Sequence, residues 1–167
     1  DGMDTLQGYV SLLKGPDPHL DSYKSEKDEL LGLADWITSQ ISAGIAPEEI
    51  GVLCYRKKDI ARVEDALAGV DVASTELKTG AADNRDKKGV RITTMHRAKG
   101  LEYFAVAIPF LSEANFPPRG ALKAAVDDAD RNDVLDQYRS LLHVAATRAK
   151  KELRVSWAGQ PSRLVVP

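Results

Sequence analysis

The sequence contains a single cysteine and no long run of apolar residues. One cysteine, Cys54, allows no intramolecular disulfide and provides no cluster of thiolate ligands for zinc. No apolar stretch approaches the roughly 20 residues of a membrane-spanning helix, and the N-terminus lacks the basic and apolar regions of a secretory signal. These absences predict a cytoplasmic protein without contact with a membrane.

An excess of charge of one sign is also missing. The 167 residues carry 23 Lys and Arg against 25 Asp and Glu, which gives a formal charge of −2. This balance excludes a polybasic protein that holds nucleic acid mainly by bulk electrostatics, although it permits a local basic groove. The length suffices for one buried core and leaves little room for two full domains.

Apolar segments alternate with amphipathic ones along the chain. Residues 1–22 contain several glycines and prolines, which predict an irregular lead-in. Strands that alternate with helices favour an α/β fold with a mostly parallel sheet. The predicted helices cover residues 25–44, 58–68 and 132–150, and the predicted strands cover 50–55, 70–74, 90–94, 104–111 and 153–157.

Polar side chains follow the predicted strands at the positions where parallel sheets bind ligands, outside the carboxyl ends of the strands. Arg56 directly follows one buried strand. Thr94 ends another, and His96 and Lys99 come just after it. Taken singly, Arg56 is typical of a solvated side chain and His96 of a structural histidine.

Arg148 continues an apolar stripe with Leu141 and Val144 near the end of the long helix. An arginine on the inner face of a helix is costly unless it meets an anion or several acceptors, and the alternative is a pair with a buried carboxylate. Together with Arg56 and a Lys-Gly turn, Arg148 favours a polyanion site on one side of the sheet, because guanidinium groups suit phosphate oxygens. Residue types and spacing alone indicate a phosphate-facing α/β domain.

Other polar residues leave alternatives open. Glu102 orients a sugar hydroxyl or caps a turn. Asp127, Asp128 and Asp130 are candidate metal ligands, but an acidic segment beside prolines is more typical of a solvated loop, and no metal site is predicted. The chain contains neither a Gly-x-x-x-x-Gly-Lys-[Ser/Thr] phosphate loop nor an apolar strand followed by an Asp-Glu pair for magnesium.

Three segments resemble motifs of the UvrD/Rep-like superfamily 1 helicases, in the order in which that family carries them. Residues 94–103, Thr-Met-His-Arg-Ala-Lys-Gly-Leu-Glu-Tyr, resemble motif V. Residues 144–151, Val-Ala-Ala-Thr-Arg-Ala-Lys-Lys, resemble motif VI, and residues 50–56 resemble motif IV. Asn115-Phe116-Pro117 is similar to the loop that follows the motif V strand.

The resemblance implies a second RecA-like motor domain over residues 23–167, without a phosphate loop of its own. In these helicases ATP with Mg²⁺ lies between two RecA-like domains, and the first domain supplies the phosphate loop and the magnesium ligands. Arg56 and Arg148 match arginines that act across this cleft as catalytic fingers and bind ATP. Glu102 and Gly100 match the turn that contacts the nucleotide.

The same resemblance implies the partners: single-stranded DNA and the N-terminal RecA-like domain of the same polypeptide. Thr94, His96 and Lys99 match positions that face the single strand or couple it to the nucleotide. The expected function is the C-terminal motor domain of an ATP-dependent DNA helicase or translocase, inactive alone. The alternative is a non-catalytic module, derived from a helicase fold, that binds single strands or a protein partner.

Two departures from the family pattern qualify the expectation. His143 replaces the usual tyrosine of motif VI, and Arg139-Ser140 replaces an Arg-Arg pair. Only about forty residues separate Arg56 from His96, where larger members insert a subdomain. A missing insertion predicts a weaker ability to separate duplex strands.

Overall fold

A six-stranded sheet with helices on both faces forms the core of the computed structural model, which describes residues 16–166. Every pair of neighbouring strands is parallel, in the order β1-β6-β5-β2-β4-β3. The prediction of an α/β fold with a mostly parallel sheet is confirmed. The strands are β1 (Pro18–Tyr23), β2 (Ile50–Cys54), β3 (Ser74–Glu76), β4 (Val90–Thr94), β5 (Tyr103–Ile108) and β6 (Ala149–Ala158); the helices are α1 (Glu26–Ser42), α2 (Asp59–Ala68), α3 (Arg119–Lys123) and α4 (Asp128–Ala146).

The first helix begins and ends where its sequence dictates. Ser25 is its N-cap, and the backbone N–H of Asp28 donates to the Ser25 hydroxyl at 3.1 Å. Acidic residues in the first turn complement the helix dipole. Leu33 and Ile37 lie one turn apart and are fully buried against the sheet. The helix stops before Gly44, whose φ of +100° is a conformation that glycine adopts without steric cost.

Helices cover the two faces of the sheet unequally. On what we call the α1/α2 face, α1 and α2 pack their apolar residues over Val52, Ile92 and Ala107. On what we call the α4 face, α4 and the segment 95–101 pack over residues such as Leu53 and Val106. The segment 95–101 carries the motif V turn, so the motif V residues lie on the α4 face.

Residues 18–22, predicted to be irregular, form most of strand β1; residues 1–15 lie outside the described part of the chain. Strand β1 pairs with β6 at the edge of the sheet, where a proline at the first strand position costs no ladder hydrogen bond. Its polar residues find partners: Asp21 accepts from Arg154 Nε at 3.0 Å, and the Tyr23 hydroxyl accepts from Arg154 Nη2.

Further element boundaries differ from prediction. Helix α4 ends at Ala146 rather than at residue 150, and strand β6 begins at Ala149 rather than at residue 153, because the chain turns at residues 147–148. Strand β3 lies at residues 74–76 rather than 70–74, because Val72 N–H donates to Leu67 O at 2.9 Å and closes the end of α2. Helix α4 begins at Asp128 rather than 132, since Asp127 caps it by accepting from Asp130 N–H at 2.8 Å. The acidic segment is therefore the first turn of a helix and not a loop.

A buried carboxyl group lies where α1 crosses β6. Glu29 is fully buried, and its Oε2 accepts hydrogen bonds from Phe110 N–H at 2.7 Å and from the Ser156 hydroxyl at 2.6 Å. Its Oε1 has no partner among the described residues. Burial raises the pKa of Glu29 despite these hydrogen bonds. Among the helices within residues 16–166, none combines the length and the apolar character needed to span a membrane.

Candidate nucleotide and nucleic-acid site

The predicted site residues separate onto the two edges of the sheet. All strands are parallel, so one edge collects their amino ends and the other their carboxyl ends. Arg56 and Thr94 lie at the carboxyl edge, at the ends of β2 and β4. Arg148 directly precedes β6, and Tyr103 N–H, at the start of β5, donates to Arg148 O at 2.9 Å. Arg148 therefore lies at the amino edge.

The prediction that Arg56 and Arg148 share one side of the sheet is wrong. Helix α4 follows β5 and leads back to the start of β6, which runs parallel to β5. The helix must therefore return its end to the edge where the strands begin. Sequence spacing placed Arg148 on the inner face of the long helix, but that helix ends at Ala146 and Arg148 lies in the turn before β6. Spacing also does not show at which edge of the sheet the helix ends.

Arg148 is half-buried and surrounded by neutral oxygen atoms. Its Nε donates to Val144 O at 3.1 Å, its Nη1 to Leu101 O at 3.2 Å and its Nη2 to the Thr147 hydroxyl at 3.1 Å. No carboxylate pairs with it among the described residues. The guanidinium is thus held in place by acceptors that leave its positive charge uncompensated, a preformed environment for an anion.

The turn that leads into β5 adjoins Arg148. Gly100 has a φ of +84°, a left-handed conformation that favours glycine. Glu102 follows with a side chain that is 65% exposed and lies 4.0 Å from Lys150 Nζ. Its backbone carbonyl accepts from Arg85 Nη2 at 3.2 Å, which fixes the main chain and leaves the carboxylate directed to solvent. The structure therefore brings Gly100, Glu102 and Arg148 together at the amino edge.

Arg56 has a different environment. Its Nε donates to Asp59 Oδ2 at 2.7 Å, its Nη2 to Asp59 Oδ1 at 3.1 Å and its Nη1 to Asn115 Oδ1 at 3.0 Å. Glu26 lies 3.7 Å away and also accepts from Arg62 at 3.0 Å. This cluster, formed by Glu26, Arg56, Asp59, Arg62 and Asn115, joins the starts of α1 and α2 to the loop after β5.

The charges of this cluster compensate one another. Asp59 is 1% exposed and accepts from both arginines. Partial burial acts to raise the pKa of Glu26, but hydrogen bonds from Asn115 and Arg62 outweigh it and hold that pKa below its usual value. A phosphate could approach Arg56 only by displacing a carboxylate that is already close.

His96 and Lys99 line one cavity of about 340 Å³ on the α4 face. The opposite wall is the side of α4 that carries Tyr138, Leu141 and Val144. Both predicted residues are exposed, and Lys99 has no ion pair among the described residues. A pocket with a histidine, a tyrosine and a free cation suits a nucleotide base with its phosphate.

An aromatic cluster of Tyr55, Phe116 and Tyr138 packs next to the residues that line this cavity. The Tyr55 ring packs against Phe116 and Tyr138 with centroid separations of 5.3 and 5.7 Å, and lies 6.1 Å from the His96 ring. Burial and the hydroxyl contact with Tyr138, at 3.3 Å, raise the pKa of Tyr55 to about 12. Sequence reasoning missed Tyr138, whose helical spacing before Leu141 was the one available indication.

Thr94 opens onto a separate cavity of about 210 Å³ rather than onto the cavity of His96 and Lys99. Its hydroxyl oxygen accepts from Arg97 N–H at 3.1 Å and so begins the motif V turn. Within the described residues no group of three or more His, Cys, Asp or Glu side chains could hold a metal ion. Cys54 is buried, and burial raises the pKa of its thiol.

Comparison with solved structures agrees with this architecture. The C-terminal domain of a possible DNA helicase from Lactobacillus plantarum WCFS1 superimposes with a TM-score of 0.68 at 17% identity, over 96% of this chain and 86% of that one. At this identity the likeness shows the fold alone. The fold is that of the RecA-like C-terminal domain of helicases.

Sequence comparison identifies the relatives. The chain is 34% identical over 104 residues to the ATP-dependent DNA helicase srs2 of Schizosaccharomyces pombe, and 31% identical over 99 residues to DNA helicase II of Rickettsia typhi. These matches cover 62% and 59% of this chain but only 10% and 14% of the relatives. Residues 58–160 match the model of the UvrD-like helicase C-terminal domain. Since that match covers more than half of the 167 residues, the chain belongs to the UvrD-like helicase C-terminal domain family.

Proposed function

We propose that this chain is the C-terminal motor domain of an ATP-dependent DNA helicase or translocase. In this proposal it contributes Arg148 to an ATP site shared with an N-terminal RecA-like domain of the same polypeptide. The observation that carries the proposal is the uncompensated guanidinium of Arg148 beside Gly100 and Glu102. Family membership supports it, because the relatives of this chain include ATP-dependent DNA helicases.

The residues at the amino edge fit a nucleoside triphosphate. Three neutral oxygen atoms hold the Arg148 guanidinium in place. Because these acceptors carry no negative charge, the positive charge of Arg148 is available to a γ-phosphate. The exposed carboxylate of Glu102 is suited to accept hydrogen bonds from a ribose hydroxyl, and Gly100 allows the backbone to turn without a side chain. ATP would supply the phosphoryl group, with Mg²⁺ held by the N-terminal domain.

Arg56 as a second finger stays a prediction. Its ion pairs with Asp59 and Glu26 give it a ready structural role in joining α1, α2 and the loop at Asn115. A role at the nucleotide requires the cluster to open when the two domains close. We therefore assign Arg148 the larger share of the transition-state stabilisation.

We further propose that single-stranded DNA crosses the α4 face at the cavity of His96 and Lys99, with Thr94 nearby at the carboxyl edge. Aromatic and cationic groups together are typical of single-strand sites, where bases stack and phosphates are neutralised. The two sites lie at opposite ends of the segment 95–101. Closure around nucleotide could therefore shift this segment and change the affinity for the strand, which is how a motor converts hydrolysis into movement.

The first test is the Arg148→Ala variant in a polypeptide that carries both RecA-like domains. We expect strand-stimulated ATP hydrolysis to fall on the order of 10³-fold or more, because an arginine finger acts mainly in the transition state. ATP affinity should change far less. The matched control is Arg131→Ala, which removes an exposed arginine of α4, the helix that precedes Arg148; Arg131 is paired with Asp128 at 2.9 Å. This control should hydrolyse ATP normally.

Near-normal hydrolysis by Arg148→Ala would refute the finger assignment. If the unsubstituted two-domain polypeptide showed no strand-stimulated hydrolysis at all, the motor proposal itself would fail. The chain would then act as a non-catalytic binding module.

A further inference from the structure

A second cavity at the carboxyl edge has the composition of an anion site. Its volume is about 210 Å³, and it lies between the start of α2, the end of β3 and the end of β4. Lys57, Lys78, Thr79 and Thr94 contribute polar groups to its wall, and Glu76 contributes the single carboxylate of that wall. No motif residue other than Thr94 is among them.

Backbone hydrogen bonds hold the three walls of this cavity together. Met95 N–H donates to Cys54 O at 2.9 Å and ties the ends of β4 and β2, so the turn with Lys57 lies beside Thr94. Leu77 N–H donates to Ile92 O at 2.9 Å, and the Thr93 hydroxyl donates to Leu77 O at the same distance. Lys78 therefore comes directly after a residue, Leu77, that hydrogen bonds hold against β4.

Arg97 of the motif V turn fixes the remaining wall. Its Nε donates to Lys78 O at 3.2 Å and its Nη2 to Ala81 O at 2.6 Å. Both bonds are to main-chain oxygen atoms, so they position residues 78–81 without neutralising Arg97. The backbone beneath Lys78 and Thr79 is thus tied to the same turn that carries the predicted strand contacts.

The cations of the cavity are not neutralised within the described residues. Lys57 and Lys78 are exposed and have no ion pair there. The nearest acidic group at the start of α2, Asp59, is buried and already accepts from Arg56 and Arg62. In a chain whose net charge is −2, two unpaired lysines beside Arg97 form a local positive surface.

The hydroxyl groups complete the donor set. The Thr94 oxygen accepts from Arg97 N–H at 3.1 Å, which leaves its hydroxyl hydrogen available to donate into the cavity. The Thr79 hydroxyl has no partner among the described residues. Ammonium and hydroxyl donors that converge on an open cavity are suited to phosphate oxygens.

We propose that Lys57, Lys78, Thr79 and Thr94 form a binding site for a backbone phosphate of single-stranded nucleic acid. The inference rests on the proposed function and extends the strand path past Thr94 to residues that no motif predicts. A strand phosphate is favoured over a nucleotide phosphate because Arg148 and Glu102, the nucleotide groups, lie at the opposite edge of the sheet. Two such lysines add electrostatic affinity without reading the base sequence.

The test is the salt dependence of single-strand binding by the 167-residue chain, followed by the fluorescence anisotropy of a labelled oligodeoxynucleotide. Removing one lysine that neutralises a phosphate of a single strand lowers the slope of log affinity against log salt by about 0.7. We expect the double variant Lys57→Gln/Lys78→Gln, which removes both lysines from the one phosphate, to lower it by about this amount, and each single variant to lower it by less. Lys24→Gln, which replaces an exposed lysine just after the edge strand β1, is the matched control and should leave the slope unchanged.

The outcomes separate this inference from the proposed function. If Lys99→Gln weakens binding while the Lys57 and Lys78 variants behave like Lys24→Gln, the phosphate site is refuted and the strand proposal stands. If the unsubstituted chain does not bind the oligonucleotide even at low salt, both fail. Inorganic phosphate at equal ionic strength should displace the oligonucleotide only weakly, because it replaces one of the several contacts of a strand. Displacement at a concentration comparable to that of the strand would mean that the cavity takes free phosphate instead.

Discussion

Arg56, on the α1/α2 face, and Arg148, on the α4 face, have opposite surroundings. At the start of α2, Arg56 and Arg62 are matched by Asp59 and Glu26 within hydrogen-bonding distance or close to it. On the other face, Arg148 meets only neutral oxygen atoms among the described residues. Both Arg56 and Arg148 matched a helicase motif, so the motif alone does not distinguish a structural charge from one available to a ligand. The presence or absence of a neighbouring carboxylate makes that distinction.

This difference predicts where a substitution damages folding and where it damages binding. Compensated charges contribute to stability, because removing one partner leaves the other poorly satisfied. Uncompensated cations contribute little to stability and keep their charge for an anion. Three substitutions test this, in order of decreasing expected effect.

Asp59→Asn should cause the largest loss of stability. It removes the charge that pairs with Arg56 and Arg62 and leaves both guanidinium groups facing Glu26 alone. We expect the free energy of unfolding to fall by about 2 kcal/mol, less than for a fully buried pair, since both arginines can reach solvent. Urea unfolding followed by circular dichroism measures it.

Asp65→Asn is the matched control on the same helix, because Asp65 is exposed. It should change the free energy of unfolding by less than about 0.5 kcal/mol. Equal losses of stability in Asp59→Asn and Asp65→Asn would mean that the ion pairs of Asp59 contribute no more than an exposed surface charge does.

Glu29→Gln should give a pH-dependent effect of intermediate size. Burial raises the pKa of Glu29 in the folded state, so the stability that its protonated form provides is present at low pH and is lost as the pH rises through that raised pKa. We therefore expect the stability of the wild type, relative to Glu29→Gln, to decrease as the pH rises above the ordinary pKa range of a carboxyl group.

Glu26 has a lowered pKa and the opposite pH dependence, but both proteins contain it, so its contribution cancels in the difference. Denaturant titrations at several pH values measure the difference directly. A difference independent of pH would mean that Glu29 titrates as a solvated carboxyl group does.

Lys99→Gln should have the smallest effect on folding. Lys99 is exposed and lies in the cavity of His96 without an ion pair among residues 16–166. We expect the free energy of unfolding to change by less than about 0.5 kcal/mol, while single-strand affinity falls measurably. A large loss of stability would show that the α4 face uses its cations structurally, as the α1/α2 face does.

The strands that could be predicted were those buried on both faces. Strand β2 is a short apolar run, and β4 alternates Val90 and Ile92 with polar residues. The structure places both strands within one residue of the prediction. Strand β1 was missed because Pro18, His19 and Asp21 give it the composition of a loop. Its stability comes from pairing with β6 and from Arg154, a residue more than a hundred positions away.

The candidate site was predictable in its residues but not in its arrangement. Motif spacing identified Gly100, Glu102 and Arg148, which the structure groups at one edge. The compensation of Arg56 was not predictable, because Glu26 and Asn115 come from distant parts of the sequence. The cavity of Lys57 and Lys78 was not predictable either, because these two lysines belong to no motif and show no characteristic spacing.

The loop between β3 and β4 is closed at its base by the sheet itself. Leu77 and Val90 are hydrogen-bonded to neighbouring strands, so the two ends of the loop stay in place whatever lies between them. The entropy cost of a longer loop grows only slowly with its length. The residues after Ala81 thus offer a point at which evolution can exchange a compact, basic loop for an additional domain without redesigning the motor fold that carries it.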